Sequence, residues 1–345
     1  MGSGTSFWGD MNLPYSTRRR RLRRILDSLL DERSSREALD EAAAELYDLF
    51  SAISARKDCG SGGTALPSGT ALSPSAAAMC TRDGMRTAVF MRGLCDAIAE
   101  AGRRFCGERI EVLYAGTGPF AVLAVPLMTV FSPSDVRFTL IDCHEEALQS
   151  VRTVLRHFGF GGFVRAILAV DAAVYRHRPN ARVHVLVAEI MQRALGIEPQ
   201  VEVFRNLASR LEPNGILVPE SVTVDLVLGD PQLATTRWSQ RGASAGTVAG
   251  RVAELSDATL AARPDRRNRI DVRTLTLTHV PPSASAMYAT TIRVFGRHVL
   301  REFDSGLTYP EIVWDLSNLQ EGEQLAFWYE LGRRPGIRWE RVEAA

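Results

Sequence analysis

The sequence predicts an α/β fold in which helices frame a largely parallel sheet and a β-rich, barrel-like region follows. Three observations carry this reading. Between residues 110 and 189, short apolar runs alternate with helical ones (110–115, 120–131, 138–142, 145–158, 164–170 and 183–189), the pattern of βαβ units. Ahead of that stretch the apolar residues recur at helical spacing. Beyond Gly215 they change to period-two segments separated by turn residues.

At the N-terminus, Leu22, Ile25, Leu26, Leu29 and Leu30, then Leu39, Ala42, Leu46, Leu49 and Phe50, predict two amphipathic helices within 16–54. The arginine run 18–24 reads as a solvated helix face rather than a nucleic-acid patch. Residues 57–75, dense in Gly, Ser, Thr and Pro, have the composition of a flexible connector or a lid, and a helix is expected from about 76 to 105. These changes place the divisions at 1–75 for N-terminal helices and linker, 76–220 for the α/β domain and 221–345 for the β-rich domain. In the last part, strands are expected at 221–228, 270–279, 290–295 and 323–331, with 242–250 a surface loop.

A chain of 345 residues, 46% of them hydrophobic, has enough apolar surface for a large core. Its 41 basic and 40 acidic residues nearly cancel, so no global field draws it to nucleic acid or to a membrane surface. Five cysteines (Cys59, Cys80, Cys95, Cys106 and Cys143) without a C-x-x-C pair fit neither a disulfide framework nor a zinc site. No metal is expected, and reduced thiols point to the cytoplasm. The longest apolar run, 120–131, is too short to span a bilayer and contains Pro126.

The chemistry concentrates at strand ends. In VLYAGTGPF a buried strand runs into Gly116, Thr117 and Gly118, with a helix expected near Phe120, so a ligand meets main chain with no Cβ in the way. The next strand ends in Asp142, where a Rossmann-like sheet presents a carboxylate to ribose hydroxyls. A third strand ends at Asp171, followed by Ala172, where an acid is placed to hold the exocyclic amine of adenine. Either aspartate alone would serve as a helix cap. Together, after a glycine turn, they predict a nucleoside cofactor. A dinucleotide fits poorly, because its pyrophosphate needs a third glycine where Phe120 stands.

From Met79 to about Leu228 the chain resembles the protein arginine methyltransferases, S-adenosylmethionine (SAM) enzymes of the class I methyltransferase fold. Asp83 to Thr87 is similar to the family's D-x-x-R-T segment, which implies that Arg86 binds the methionyl carboxylate of SAM. Glu189 follows the fourth strand and Glu198 stands nine residues later, the spacing of the family's two-glutamate loop. The resemblance implies that this pair grips a cationic acceptor and turns a nitrogen lone pair toward the SAM methyl. LEPNGILVPESVTVDLVL looks like the segment that crosses into the family's β-barrel. Departures stand beside the matches: Tyr114 replaces the acid before the glycines, Phe120 replaces the third glycine, and DSGLTYP brings Thr308 and Tyr309 but no histidine or tryptophan. The last departure argues for a small acceptor rather than protein arginine.

N-methyl transfer to a small amine or amino-acid-type substrate in biosynthesis is therefore the expected reaction. The chain is also similar in general character to bacterial SAM cyclases that form azetidine-2-carboxylate and release methylthioadenosine. In either case Tyr175 is placed to face the sulfonium through a cation–π contact. A catalytically silent SAM-binding partner subunit is a third outcome. The expected partners are a small molecule and, by the resemblance, a second copy in a homodimer, with neither nucleic acid nor membrane.

Overall fold

The computed structural model describes residues 14–54, 62–176, 182–232 and 244–343, and the chain divides into two units. The first is Met1–Thr64, Leu72–Glu189 and Asn206–Val218; the second is Ala65–Ala71, Ile190–Arg205 and Pro219–Ala345. Cys59 and the first part of the expected connector lie outside the described residues.

In the first unit, α1 (Tyr15–Leu30) and α2 (Arg36–Ser54) form as the spacing predicts, burying Leu22, Ile25, Leu26 and Leu29 on one helix and Leu39, Leu46, Leu49 and Phe50 on the other. The arginine run does more than face solvent. Arg18 donates to the His157 carbonyl at 2.7 Å, and Arg19 donates to those of Phe158 and Gly159 at 2.8 and 2.7 Å. These carbonyls lie at the end of α5 (Glu145–Phe158), where the last turn of a helix leaves carbonyl acceptors without intrahelical N–H donors. Arg21 and Arg24 meet the expectation better, reaching Glu45 across the surface.

The helix expected from 76 to 105 is broken. It forms as α3 (Pro74–Met79), a single 3-10 turn and α4 (Gly84–Arg104). Asp83 causes the break, taking an extended conformation so that its carboxylate caps the Arg86 N–H at 3.0 Å. Gly84 starts α4 against α2, and a Cβ there would lie 2.5–2.6 Å from atoms of Leu39 and Asp40.

The sheet of this unit is parallel, with β3 (Ile110–Ala115), β4 (Val136–Asp142), β5 (Val164–Ala169), β6 (Val185–Ala188) and β7 (Ile216–Val218) in the order β5-β4-β3-β6-β7. Every residue of β3 and β6 is buried, which explains their unbroken apolar character. The α-helix expected at 120–131 does not form. Ala121 adopts φ 45, a series of turns follows, and only Pro126–Thr129 closes a 3-10 helix. A left-handed alanine interrupts the helical hydrogen bonds, and Pro126 removes another donor. Phe120 is buried against Tyr47 and Phe50, with ring centroids 6.0 and 5.7 Å apart. The position that a dinucleotide fingerprint gives to glycine is here part of the core.

The second unit is antiparallel. One sheet runs β12-β11-β8-β9, with β8 (Ser221–Gly229), β9 (Gly246–Leu255), β11 (Ser285–Phe295) and β12 (His298–Leu300), and β13 (Glu311–Ile312) also pairs with β11. The other joins β10 (Arg269–Thr276), β14 (Gln324–Glu330) and β15 (Gly336–Arg341). β9 takes the second half of the expected 242–250 loop into the sheet, while 242 and 243 lie outside the described residues. Nor is 62–71 a free connector: β1 (Thr64–Leu66) and β2 (Gly69–Ala71) form a hairpin. Thr70 N–H donates to the Ile197 carbonyl at 2.9 Å, and Gly69 at φ 145 allows the approach, since a Cβ there would fall 2.6 Å from that same oxygen.

Candidate active site

The strand order creates the crevice. β3 has β4 on one side and β6 on the other, so the chains leaving β3 and β6 diverge at a topological switch point, where open parallel sheets bind ligands. Gly116 leaves β3 at φ 73 and Gly118 follows at φ 56, conformations that need glycine. The turn is pinned by Gly116 N–H donating to the Ile141 carbonyl at 2.9 Å, and Thr117 is buried within it.

Asp142, at the end of β4, holds the same turn from the side. Its Oδ2 accepts from Gly118 N–H and its Oδ1 from His144 N–H, both at 2.9 Å. The His144 ring lies beside it, with Nδ1 at 3.3 Å from both Asp142 Oδ1 and Cys143 Sγ. Hydrogen bonding to Asp142, then to Cys143, pushes His144 up to about 10, so both ring nitrogens donate at neutral pH. Nε2 gives its proton to Thr64 Oγ1 at 2.9 Å. Asp142, Cys143 and His144 offer donor atoms within 4.8 Å of one another, but the carboxylate and the imidazolium engage each other. A carboxylate has about four acceptor positions, so Asp142 keeps capacity for a further hydroxyl.

Beyond β5, Asp171 Oδ1 accepts from Ala173 N–H at 2.9 Å, which turns the chain around Ala172. Asn206 fastens this loop, its amide donating to the carbonyls of Ala172 and Tyr175 at 2.9 Å each. Tyr175 is half-buried. Asn206 carried no signal in sequence, because an amide bridging two carbonyls of a distant loop has no local pattern.

Arg86 and Glu189 meet from opposite directions, one on the first turn of α4 and the other just past β6. Their side chains, 13% and 12% exposed, form a hydrogen-bonded ion pair. Burial opposes the charge on Arg86, but Glu189 outweighs it and raises the guanidinium above its ordinary value. Burial also pushes Glu189 above the usual carboxylate range, with Arg86 pulling it back. Tyr114, 2% exposed, sits in the field of Glu189, Arg86 and Asp142. Desolvation raises its hydroxyl first and the Glu189 charge next, so it is a neutral phenol at any working pH. The structure thus joins Arg86, Gly118, Asp142 and Glu189 around one strand end. Glu198 belongs to the second unit, where it is 3% exposed ahead of Pro199 and α6 (Gln200–Leu207). Its neighbour Gln200 is fully buried and accepts from Ile190 N–H at 3.0 Å.

No protein-family model and no curated protein sequence matches the chain. Among solved structures it is similar to the Trypanosoma brucei PRMT1 enzyme–prozyme heterotetrameric complex with AdoHcy, with a TM-score of 0.51 and 13% identity. The likeness covers 77% of this chain and 92% of that one. At such identity the shared property is the fold: N-terminal helices, a Rossmann-like parallel sheet and an antiparallel β-rich region.

Proposed function

We propose that the chain binds SAM at the carboxyl edge of the parallel sheet and transfers its methyl group to the nitrogen of a small amine or amino-acid-type acceptor. The observation that carries this reading is the convergence of Arg86, Gly118, Asp142 and Glu189 at the switch point of the sheet. The donor set suits SAM. Arg86 supplies a guanidinium for a carboxylate, Asp142 an acceptor for ribose, Asp171 one for the adenine amine, and Gly116, Thr117 and Gly118 a bare backbone. AdoHcy in the similar complex agrees with this assignment.

Bound SAM supplies an electrophilic methyl on a sulfonium. The residues of the chain then place a nucleophile and hold charge. Glu189 and Glu198 are assigned to grip the acceptor cation. Because burial raises Glu189, it is suited to receive the proton that the nitrogen sheds after attack. Tyr175 is assigned to the face of the sulfonium. A homodimer is the expected assembly, and the similar complex is itself oligomeric.

One observation favours a second reading. Glu189 is already engaged by Arg86, which leaves it less open to an outside amine. In the alternative, the amine of SAM attacks its own γ-carbon, the carbon–sulfur bond breaks with its electron pair going to sulfur, and a proton is lost. Azetidine-2-carboxylate and methylthioadenosine result. Incubating the full chain with SAM, with and without amines, and weighing the products separates the two. S-adenosylhomocysteine formed only with an acceptor supports methyl transfer. Methylthioadenosine from SAM alone replaces it with cyclisation.

A further inference from the structure

Where β4 ends, three side chains of three kinds meet within the first unit: the carboxylate of Asp142, the thiol of Cys143 and the imidazole of His144. Nδ1 of His144 lies 3.3 Å from both Asp142 Oδ1 and Cys143 Sγ. Tetrahedral zinc, with its ligands at about 2.0–2.3 Å, holds the donor atoms about 3.3–3.6 Å from one another. The two edges that meet at Nδ1 therefore have nearly the length that a zinc ion sets, before any side chain moves.

Two of the three groups are also held from behind. Gly118 N–H donates to Asp142 Oδ2 at 2.9 Å, which leaves Oδ1 on the side of His144. His144 Nε2 lies 2.9 Å from Thr64 Oγ1, a bond that fixes the ring and makes Nδ1 the inward nitrogen. Partners that orient a ligand without touching the metal are a regular part of metal sites. The Asp142 and His144 side chains are 9% and 14% exposed and Cys143 is half-buried, so the trio is screened yet open to an entering ion.

We infer that Asp142, Cys143 and His144 form a binding site for a borderline-soft divalent cation, of which zinc fits best. A thiolate and an imidazole beside a single carboxylate favour zinc over magnesium or calcium, which take oxygen ligands. Zinc bonds to Sγ, Nδ1 and Oδ1, the protons on Sγ and Nδ1 pass to solvent, and a water completes the tetrahedron. The site needs neither cofactor nor acceptor. Because Asp142 also serves the ribose in the reading above, zinc binding is measured without SAM, and failure of either reading leaves the other standing.

The test is calorimetric titration of zinc chloride into the full, reduced chain, together with the absorption spectrum of the same protein loaded with cobalt(II). One saturable site in the micromolar range is expected, tightening as pH rises because protons leave. Cobalt is expected to show the near-ultraviolet charge-transfer band of a thiolate ligand. Cys143→Ala removes that band and weakens zinc about tenfold or more, His144→Gln weakens zinc likewise, and Cys106→Ala, at an exposed thiol, changes neither. Melting curves recorded without metal establish that each variant is folded, and the cobalt band of the parent chain depends on none of them. No saturable zinc binding by the parent chain, no thiolate band with cobalt, affinity unchanged in Cys143→Ala or His144→Gln, or a band lost with Cys106 instead overturns the inference.

Discussion

At the residue scale, the buried pairing of Arg86 with Glu189 gives one substitution two separable effects. Glu189→Gln leaves a guanidinium with its charge poorly compensated, a defect that costs about 3 kcal/mol in comparable buried pairs. Urea unfolding should register that loss. If Glu189 also receives the acceptor, turnover falls by about a hundredfold or more while SAM affinity changes much less. Unchanged turnover would remove the assigned role. Gly118→Val places a β-branched residue at φ 56 in the cofactor turn and is expected to weaken SAM binding at least tenfold, read by calorimetry.

His144 provides a prediction in pH. Its folded value of about 10 lies above the ordinary 6.5, so its pairing with Asp142 stabilises the fold fully below about 6.5. That contribution declines as pH rises and is gone above about 10. His144→Gln should flatten the pH dependence of unfolding stability within this window. A slope equal to the parent's would show that the imidazolium does not contribute.

At the scale of elements, Gly84 is a close junction between the N-terminal helices and α4. Gly84→Ala forces a Cβ onto the backbone of α2, and overpacking of this kind costs about 1–3 kcal/mol, measurable as a lower urea midpoint. The helices and strands were legible because burial imposes a period: Leu22 to Leu29 repeat with the helical turn, and β3 and β6 are apolar throughout. The strand-end residues Gly116, Gly118 and Asp142 were legible for the same reason, since the strands locate them.

What escaped were features decided by distant partners. Residues 62–71 have linker composition, yet β1 and β2 pair as a hairpin, which a hydrogen bond from Thr70 to Ile197 tethers. Residues 120–131 are apolar enough for a helix, yet Ala121 and Pro126 divert the chain. Arg19 reads as a solvated residue until the end of α5 is brought to it. The Arg86–Glu189 pair joins positions 103 apart, and no spacing announces it.

At the scale of the molecule, the order β5-β4-β3-β6-β7 brings residues from separate parts of the sequence to one edge, while the antiparallel unit holds Glu198 on a strained segment. One nucleoside cofactor is expected at that edge. A protein that binds SAM only when folded gains about 2.7 kcal/mol at a concentration one hundred times Kd, so the melting temperature should rise with SAM. The most direct measurement is calorimetric titration of SAM into the full chain and into Asp142→Ala. The expected result is saturable binding in the micromolar range that the substitution weakens by about tenfold or more. No heat with SAM or with S-adenosylhomocysteine, or equal affinity in the two proteins, would contradict it.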